Sequence, residues 1–494
     1  FSSTITCKKE KQLKSANINI PILWCAFIVA MLVLDWLLVD FGLELIIPTI
    51  VIGALHKNPA EVLNLTDEQA SWFGSILYFA HPIGALISGF LQEHLGRKRS
   101  LLLVNIPMLV AWSTLYLASS VYQLYFVSAT LGLCIGFCEA PLHSYIGEMS
   151  EPHVRGTLSA MGTASCLMGM LIMYLIGYLA HWRTAALISS FFPVITFLAI
   201  AQIPESPTWL VMNGREKEAQ KALGWLRGWL KPEEVQEEFQ RLLEYTDTKP
   251  KSNRFRVKVI GGKIPGNYHK KLYLPLRMVF IVFVFGIATQ LAAMRPFMVG
   301  VLKQFGLTVD NYLVLVLISF FYFVGAMMNV IFVRRLGKRR LTLYCQAIAT
   351  LSVLLLGVYL AYLTGPTKVR AIDWIPISLF VSVFFFSGSS IALIAWQLCA
   401  EVFPVEGRGT AQGLVAAWAY LVNFVMSKSY LYLERLVQLK GVFYFYGALS
   451  VVGFFYYWRY LPETEGKSLD QIETYFTENC DEKEKFTKRK NNRS

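Results

Sequence analysis

Apolar stretches of about 20 residues, separated by short polar ones, recur along almost the whole chain. Twelve lie near residues 22–47, 73–91, 100–119, 122–147, 156–179, 183–203, 274–297, 311–333, 341–364, 374–400, 409–433 and 441–461. A helix rises about 1.5 Å per residue, so about 20 apolar residues cross about 30 Å of hydrocarbon. The pattern predicts an all-α polytopic membrane protein with twelve transmembrane helices in a lipid bilayer. The longest polar interruption, 204–271, divides them into six-helix halves at 22–203 and 272–461, with tails at 1–21 and 462–494. Within it, residues 213–228 and 231–246 carry mixed charge at helical spacing, which predicts short amphipathic helices ahead of a looser basic linker.

Composition agrees. Of 494 residues, 55% are hydrophobic and only 16% charged, and mean hydropathy is +0.46. A net charge of +13 raises the question of nucleic acid. The basic residues cluster instead in loops of one side. Arg97-Lys98-Arg99 follows the second segment, and Arg334-Arg335 with Lys338-Arg339-Arg340 follows the eighth. The loops after the first and third segments are nearly free of Lys and Arg. By the positive-inside rule both termini are expected to be cytoplasmic, with no nucleic-acid partner. The polar, lysine-bearing start runs straight into a full-length apolar segment, so no cleavable signal peptide is expected. The ending Asn492-Arg493-Ser494 matches no retention or peroxisomal signal, which favours the plasma membrane. The sequon Asn64-Leu65-Thr66 falls in the first outside loop and is a candidate glycosylation site.

Eight scattered cysteines show neither a disulfide framework nor metal-ligand spacing. No nucleophile–base constellation or phosphate loop stands out, so neither an enzyme nor a cofactor is expected. The protein is expected to act as a monomer.

The halves repeat. Glu148 leads Arg155-Gly156 by the same seven positions as Glu401 leads Arg408-Gly409. Gly89…Glu93…Gly96-Arg97-Lys98 returns as Val333 through Arg339, and Pro204-Glu205-Ser206-Pro207 is echoed by Pro462-Glu463-Thr464-Glu465. Parallel six-helix repeats around a central site are a transporter design. These motifs resemble the sugar porter family of the major facilitator superfamily over nearly the whole chain. Gln69-Ala70-Ser71-Trp72 and Trp225-Leu226-Arg227-Gly228 are similar to its insect trehalose-transporter-like branch.

Acids and bases at helix ends form ion pairs that are only partly desolvated and can break at modest cost. Glu93, Arg97, Glu148 and Arg155, with Arg339, Glu401 and Arg408, are therefore expected to form a gate at the cytoplasmic edge. The resemblance adds Glu205 and Glu463 to it and implies that such pairs hold an outward-facing state. Arg334 stands where the family has an acid, which predicts a weaker lock in the second half.

The resemblance frays at the solute site. A sugar hydroxyl both donates and accepts, so neutral amides suit it. Of the helix 7 amide motif only Gln290 remains, in Thr289-Gln290-Leu291-Ala292-Ala293-Met294-Arg295. Thr163 replaces a Gln, Tyr420 a Trp, and Trp396 and Asn423 are kept. Charges appear in apolar helices instead: Asp35, Asp40 and Glu44, Glu139 with His143, and Arg295, while His81 lies in the second helix. A charge at membrane depth costs several kcal/mol unless paired or watered, so each is a functional candidate. Gln290, Arg295, Trp396, Thr163, Tyr420, Asn423 and Glu139 are the expected solute contacts, and Asp40 and Glu139 the proton-coupling candidates. Arg295 is expected to be the counter-ion of Asp40, Glu139 or both.

The resemblance implies transport of a small polar solute, a mono- or disaccharide such as glucose or trehalose, by rocking of the halves. Two alternatives stand beside it: a proton-coupled or charged-solute transporter on the same fold, and a non-transporting solute sensor.

Overall fold

The computed structural model describes residues 20–59, 61–149, 155–247, 266–362, 373–403, 408–467, 471–472 and 474–476, with 20–27, 90, 155–160, 245, 247, 266–272, 330, 400 and 408–410 described by backbone alone. Pro152, the closing sequon and the side chains of Arg155 and Arg408 lie outside the described residues.

The first half is built from α1 (Ile20–Leu55), α2 (Asp67–Leu95), α3 (Arg97–Tyr116), α4 (Val121–Met149), α5 (Arg155–Leu179) and α6 (Trp182–Gln202). Three short helices follow, α7 (Pro207–Met212), α8 (Glu216–Leu226) and α9 (Gln236–Asp247), packed on one another through Trp209, Leu223 and Phe239. The second half begins with α10 (Gly266–Thr289), which starts inside the stretch read as linker. It continues through a 3₁₀ turn (Ala292–Phe297) into α11 (Met298–Phe305), then α12 (Asn311–Leu336) and α13 (Lys338–Tyr362). A π turn at Ser387–Ile391 joins α14 (Trp374–Phe386) to α15 (Ala392–Glu401), and α16 (Arg408–Tyr460) closes the chain.

By length and hydropathy ten stretches qualify as membrane spans. Two physical facts reconcile ten with the twelve expected. At 53 residues α16 would be roughly 80 Å long, far more than one crossing needs. It is broken at Gln438, whose backbone leaves helical geometry (φ 62°, ψ 165°), so it crosses twice. Helix α3 opens on Arg97-Lys98-Arg99, which lowers its mean hydropathy, yet it packs between α4 and α6 as a full member of the bundle. This is a twelve-helix arrangement of two six-helix halves.

Glycines set which helices touch. A Cβ on Gly136 of α4 would lie 2.8 Å from the His81 carbonyl carbon of α2, and one on Gly84 would lie 2.9 Å from the Leu133 carbonyl carbon. With Gly132 they form a small-residue stripe that brings the α2 and α4 backbones together, the way membrane helices pack when lipid offers no hydrophobic drive. Gly42 of α1 and Gly169 of α5 do the same for that pair.

Candidate functional site

At the end of the bundle that carries the basic loops, the same construction occurs twice. In the first half Glu205 Oε1 accepts from the backbone N–H groups of Arg97 (2.9 Å), Lys98 (3.0 Å) and Ser206 (2.9 Å). In the second, Glu463 accepts from Lys338 N (3.0 Å), Arg339 N (3.1 Å) and Glu465 N (3.0 Å). Each carboxylate thus caps the N-terminus of a membrane helix, α3 or α13, where unsatisfied N–H groups and the helix dipole favour an anion. The glycine before each helix is obligatory for two reasons. Gly96 and Gly337 have φ of 92° and 78°, and a Cβ on either would lie 2.9 Å from the Glu205 or Glu463 carboxyl carbon.

Ion pairs complete each copy. Arg97 Nη2 lies 2.8 Å from Glu148, whose other oxygen accepts from the Ser206 hydroxyl. In the second half Lys338 Nζ pairs with Glu401 and lies 3.3 Å from Glu465. The Arg339 guanidinium donates to the Trp458 carbonyl (2.7 Å). Lys338 directly follows the turn glycine, as Arg97 does, so the repeat places Lys338 in Arg97's seat. The side chain of Glu93 is exposed, and its carbonyl accepts from Trp209 Nε1 (3.0 Å). All these contacts stay within one half.

At the opposite end the halves meet along α2 and α16. Arg435 pairs with Asp67, which also takes Lys57 (3.0 Å) and His56 (2.6 Å) from the end of α1. Ser71 donates to the Lys428 carbonyl (2.8 Å), and the Lys428 ammonium lies 4.0 Å over the Trp72 ring. Further in, Phe424 packs on Phe79 and the Tyr420 ring stacks on His81 at 3.4 Å between centroids. The 3₁₀ turn joins the seam, since Thr49 of α1 donates to the Arg295 carbonyl (2.9 Å).

The charged candidates sort out at mid-membrane. Tyr420 Oη donates to Glu139 Oε1 at 2.7 Å, and His81 Nε2 lies 3.1 Å from the same oxygen. The α2–α4 glycine contact explains this placement, because Glu139 sits one turn after Gly136, which rests on the His81 backbone. His143 is exposed one turn further on. Asp40 is buried and accepts from Thr196 of α6 (2.6 Å), so it faces the interior of its own half. Glu44, one turn along α1, is fully buried, and neither of its oxygens has a hydrogen-bond partner.

Arg295 therefore does not pair with Asp40 or Glu139. Both carboxylates take other partners, and the guanidinium is surrounded by phenols. Tyr322, Tyr78 and Tyr174 lie beside it. The reason is rotational. Leu291 adopts a left-handed conformation (φ 53°) that ends α10, and the following 3₁₀ turn points Arg295 toward α5 and α12.

Of the expected solute contacts, Gln290 is half-buried and accepts from the Tyr322 hydroxyl (3.3 Å). Asn423 donates to the Ala419 carbonyl of its own helix (3.0 Å), and Thr163 is half-buried. Trp396 is 41% exposed and stands edge-on to Phe283 (5.0 Å). Sequence reasoning missed Tyr322, Tyr174 and Ser319, which lie around Arg295. Aromatic and hydroxyl residues are common in membrane helices, and nothing in their spacing marks these three.

Comparisons agree with this architecture. The model of the family described as sugar (and other) transporter matches residues 45–476. A facilitated trehalose transporter of Polypedilum vanderplanki is 28% identical over 410 residues, covering 83% of this chain and 80% of that protein. A facilitated trehalose transporter homolog of Drosophila sechellia is 31% identical, covering 83% and 82%. Among solved structures, the proton:xylose symporter XylE bound to 6-bromo-6-deoxy-D-glucose superposes with a TM-score of 0.70. Identity is 18%, and the match covers 92% of this chain and all of that one. At that identity the likeness is one of fold, the major facilitator fold. With the family match running from α1 past Glu463, the chain belongs to the sugar (and other) transporter family, and it is a membrane transporter rather than an enzyme.

Proposed function

We propose that the chain carries a sugar, a mono- or disaccharide such as glucose or trehalose, by alternating access. It does so as a monomer in the plasma membrane, with both termini cytoplasmic. The observation that carries this reading is the doubled helix-end construction, Glu205–Arg97–Glu148 and Glu463–Lys338–Glu401, one copy per half. Two halves with matching charged ends, joined by a seam at the far end, can rock about that seam. Together with Glu93, Arg155, Arg339 and Arg408, these residues are read as the cytoplasmic gate, with Lys338 added. Gln290, Thr163, Trp396, Tyr420, Asn423, Glu139 and Arg295 are read as solute contacts. Asn64 is exposed at the far end, consistent with glycosylation there. The test is uptake of labelled trehalose and glucose into proteoliposomes, with Glu148→Gln and Glu401→Gln expected to alter the rate. Failure of uptake and of counterflow with every sugar would favour a sensor.

A second reading, proton coupling, is favoured by the buried Asp40 and Glu44, which face no cation among the described residues. Two carboxylates at membrane depth without a counter-charge are tolerated when protons neutralise them. Uptake that rises in external acid and collapses with an uncoupler would support it, and uptake indifferent to both would exclude it.

A further inference from the structure

We propose that the Arg295 cavity is an anion subsite, and that the solute of this transporter is a sugar acid, a sugar bearing one carboxylate. The inference rests on the sugar-transport reading and narrows its substrate class. The cavity lies at the junction of the halves. Ile46, Met170 and Tyr174 line it from one side, and Arg295, Ser319 and Tyr322 from the other.

Among the described residues, Arg295 is its one charged lining residue. Arg295 supplies a guanidinium fork that only donates, and the phenols of Tyr322 and Tyr174 stand beside it. Ser319 is 2% exposed, lines the same cavity, and its hydroxyl has no hydrogen-bond partner among the described residues. A buried hydroxyl left without a partner loses a favourable bond, and a ligand that accepts from it restores one. Part of the acceptor capacity that would suit a neutral sugar is already used. The Gln290 carbonyl oxygen takes the Tyr322 hydroxyl, and Glu139 is held by Tyr420 and His81.

Charge points the same way. No carboxylate is among the residues that line the cavity, and Asp40 and Glu139 have other partners, so among the described residues the guanidinium carries its positive charge into the bundle without a paired acid. A carboxylate entering the cavity meets a planar fork whose two parallel N–H bonds match its two oxygens, the geometry in which arginine discriminates most strongly. In the closed arrangement the remaining space admits about one water molecule, so the carboxylate is bound when the halves part.

Proteoliposomes containing the whole chain are tested for uptake of labelled glucuronate and labelled glucose. The wild type is expected to take up glucuronate in preference. Arg295→Gln should cut glucuronate uptake by about a hundredfold and glucose uptake far less, since losing a charged partner is worth about 3 kcal/mol. Arg295→Lys, which keeps charge but loses the fork, should fall between, and Ser319→Ala should raise the glucuronate KM by about tenfold. Folding is checked in parallel, because glucuronate should raise the thermal transition of purified wild type but not of Arg295→Gln. Uptake of glucose without glucuronate, or equal loss of both in Arg295→Gln, overturns the anion subsite alone. Uptake of neither, with labelled trehalose also refused, overturns the sugar-transport reading along with it.

Discussion

The hydrogen bond from Tyr420 to Glu139 spans the two halves at mid-membrane, and Tyr420→Phe removes it while changing little else. The ring stays stacked on His81, and the His81 imidazole stays 3.1 Å from Glu139. A hydrogen bond to a charged group is worth about 1.5–3 kcal/mol, and the retained histidine puts the loss at the low end, about 1.5 kcal/mol. The bond exists only while α4 and α16 are together. Its loss should therefore move the equilibrium between seam-closed and seam-open states toward open by about tenfold. The outer ion pair is a useful contrast. Arg435 is 63% exposed at its side chain, and exposed pairs contribute about 0–1 kcal/mol, so Asp67→Asn should shift the same equilibrium less and lose its effect in high salt. The assay is labelling of Ser71→Cys by a membrane-impermeant maleimide, since the Ser71 hydroxyl sits in the seam on the Lys428 carbonyl. Tyr420→Phe should speed labelling about tenfold at any salt concentration. Labelling within a factor of about two of the parent would refute the idea that this bond helps hold the seam closed.

Three further outcomes follow from the geometry. Lys338→Met should lower the thermal transition far more than Arg339→Met, a difference of about 1–3 kcal/mol, because Lys338 is 9% exposed and holds Glu401. Equal effects of the two would deny Lys338 the larger share. Gly136→Ala places a Cβ against the His81 backbone, which cannot rotate away, and should cost about 1–3 kcal/mol, read as lost monodispersity on heating; a fully stable variant would contradict the α2–α4 contact. Thr196→Val leaves buried Asp40 without its donor and should destabilise the first half by about 1–3 kcal/mol in a thermal-unfolding assay, and an unchanged transition would place Asp40 elsewhere.

Much of the architecture was legible because membrane physics writes it into local pattern. Twenty-residue apolar runs, one-sided basic loops and a motif repeated in each half are properties of short windows, and they located twelve helices and both helix-end constructions. The buried charges were legible too, since Asp40, Glu139 and Arg295 stand out against apolar surroundings. Even the seat of Lys338 was available to closer registration of Gly96-Arg97 on Gly337-Lys338.

Partner choice was not available from the chain alone. Each step along a helix turns a side chain by about 100°, so whether Asp40 looks at Arg295 or at Thr196 depends on how α1 is rotated against α6. The Gly136 contact that sets Glu139 on His81 depends on two backbones meeting 55 residues apart in sequence. The sequence by itself determined that this is a two-half helical transporter with charged helix ends and a charged interior. Only the tertiary structure decided which charges neutralise one another, because pairing in a membrane interior is governed by helix rotation and depth, and neither is encoded in a local window.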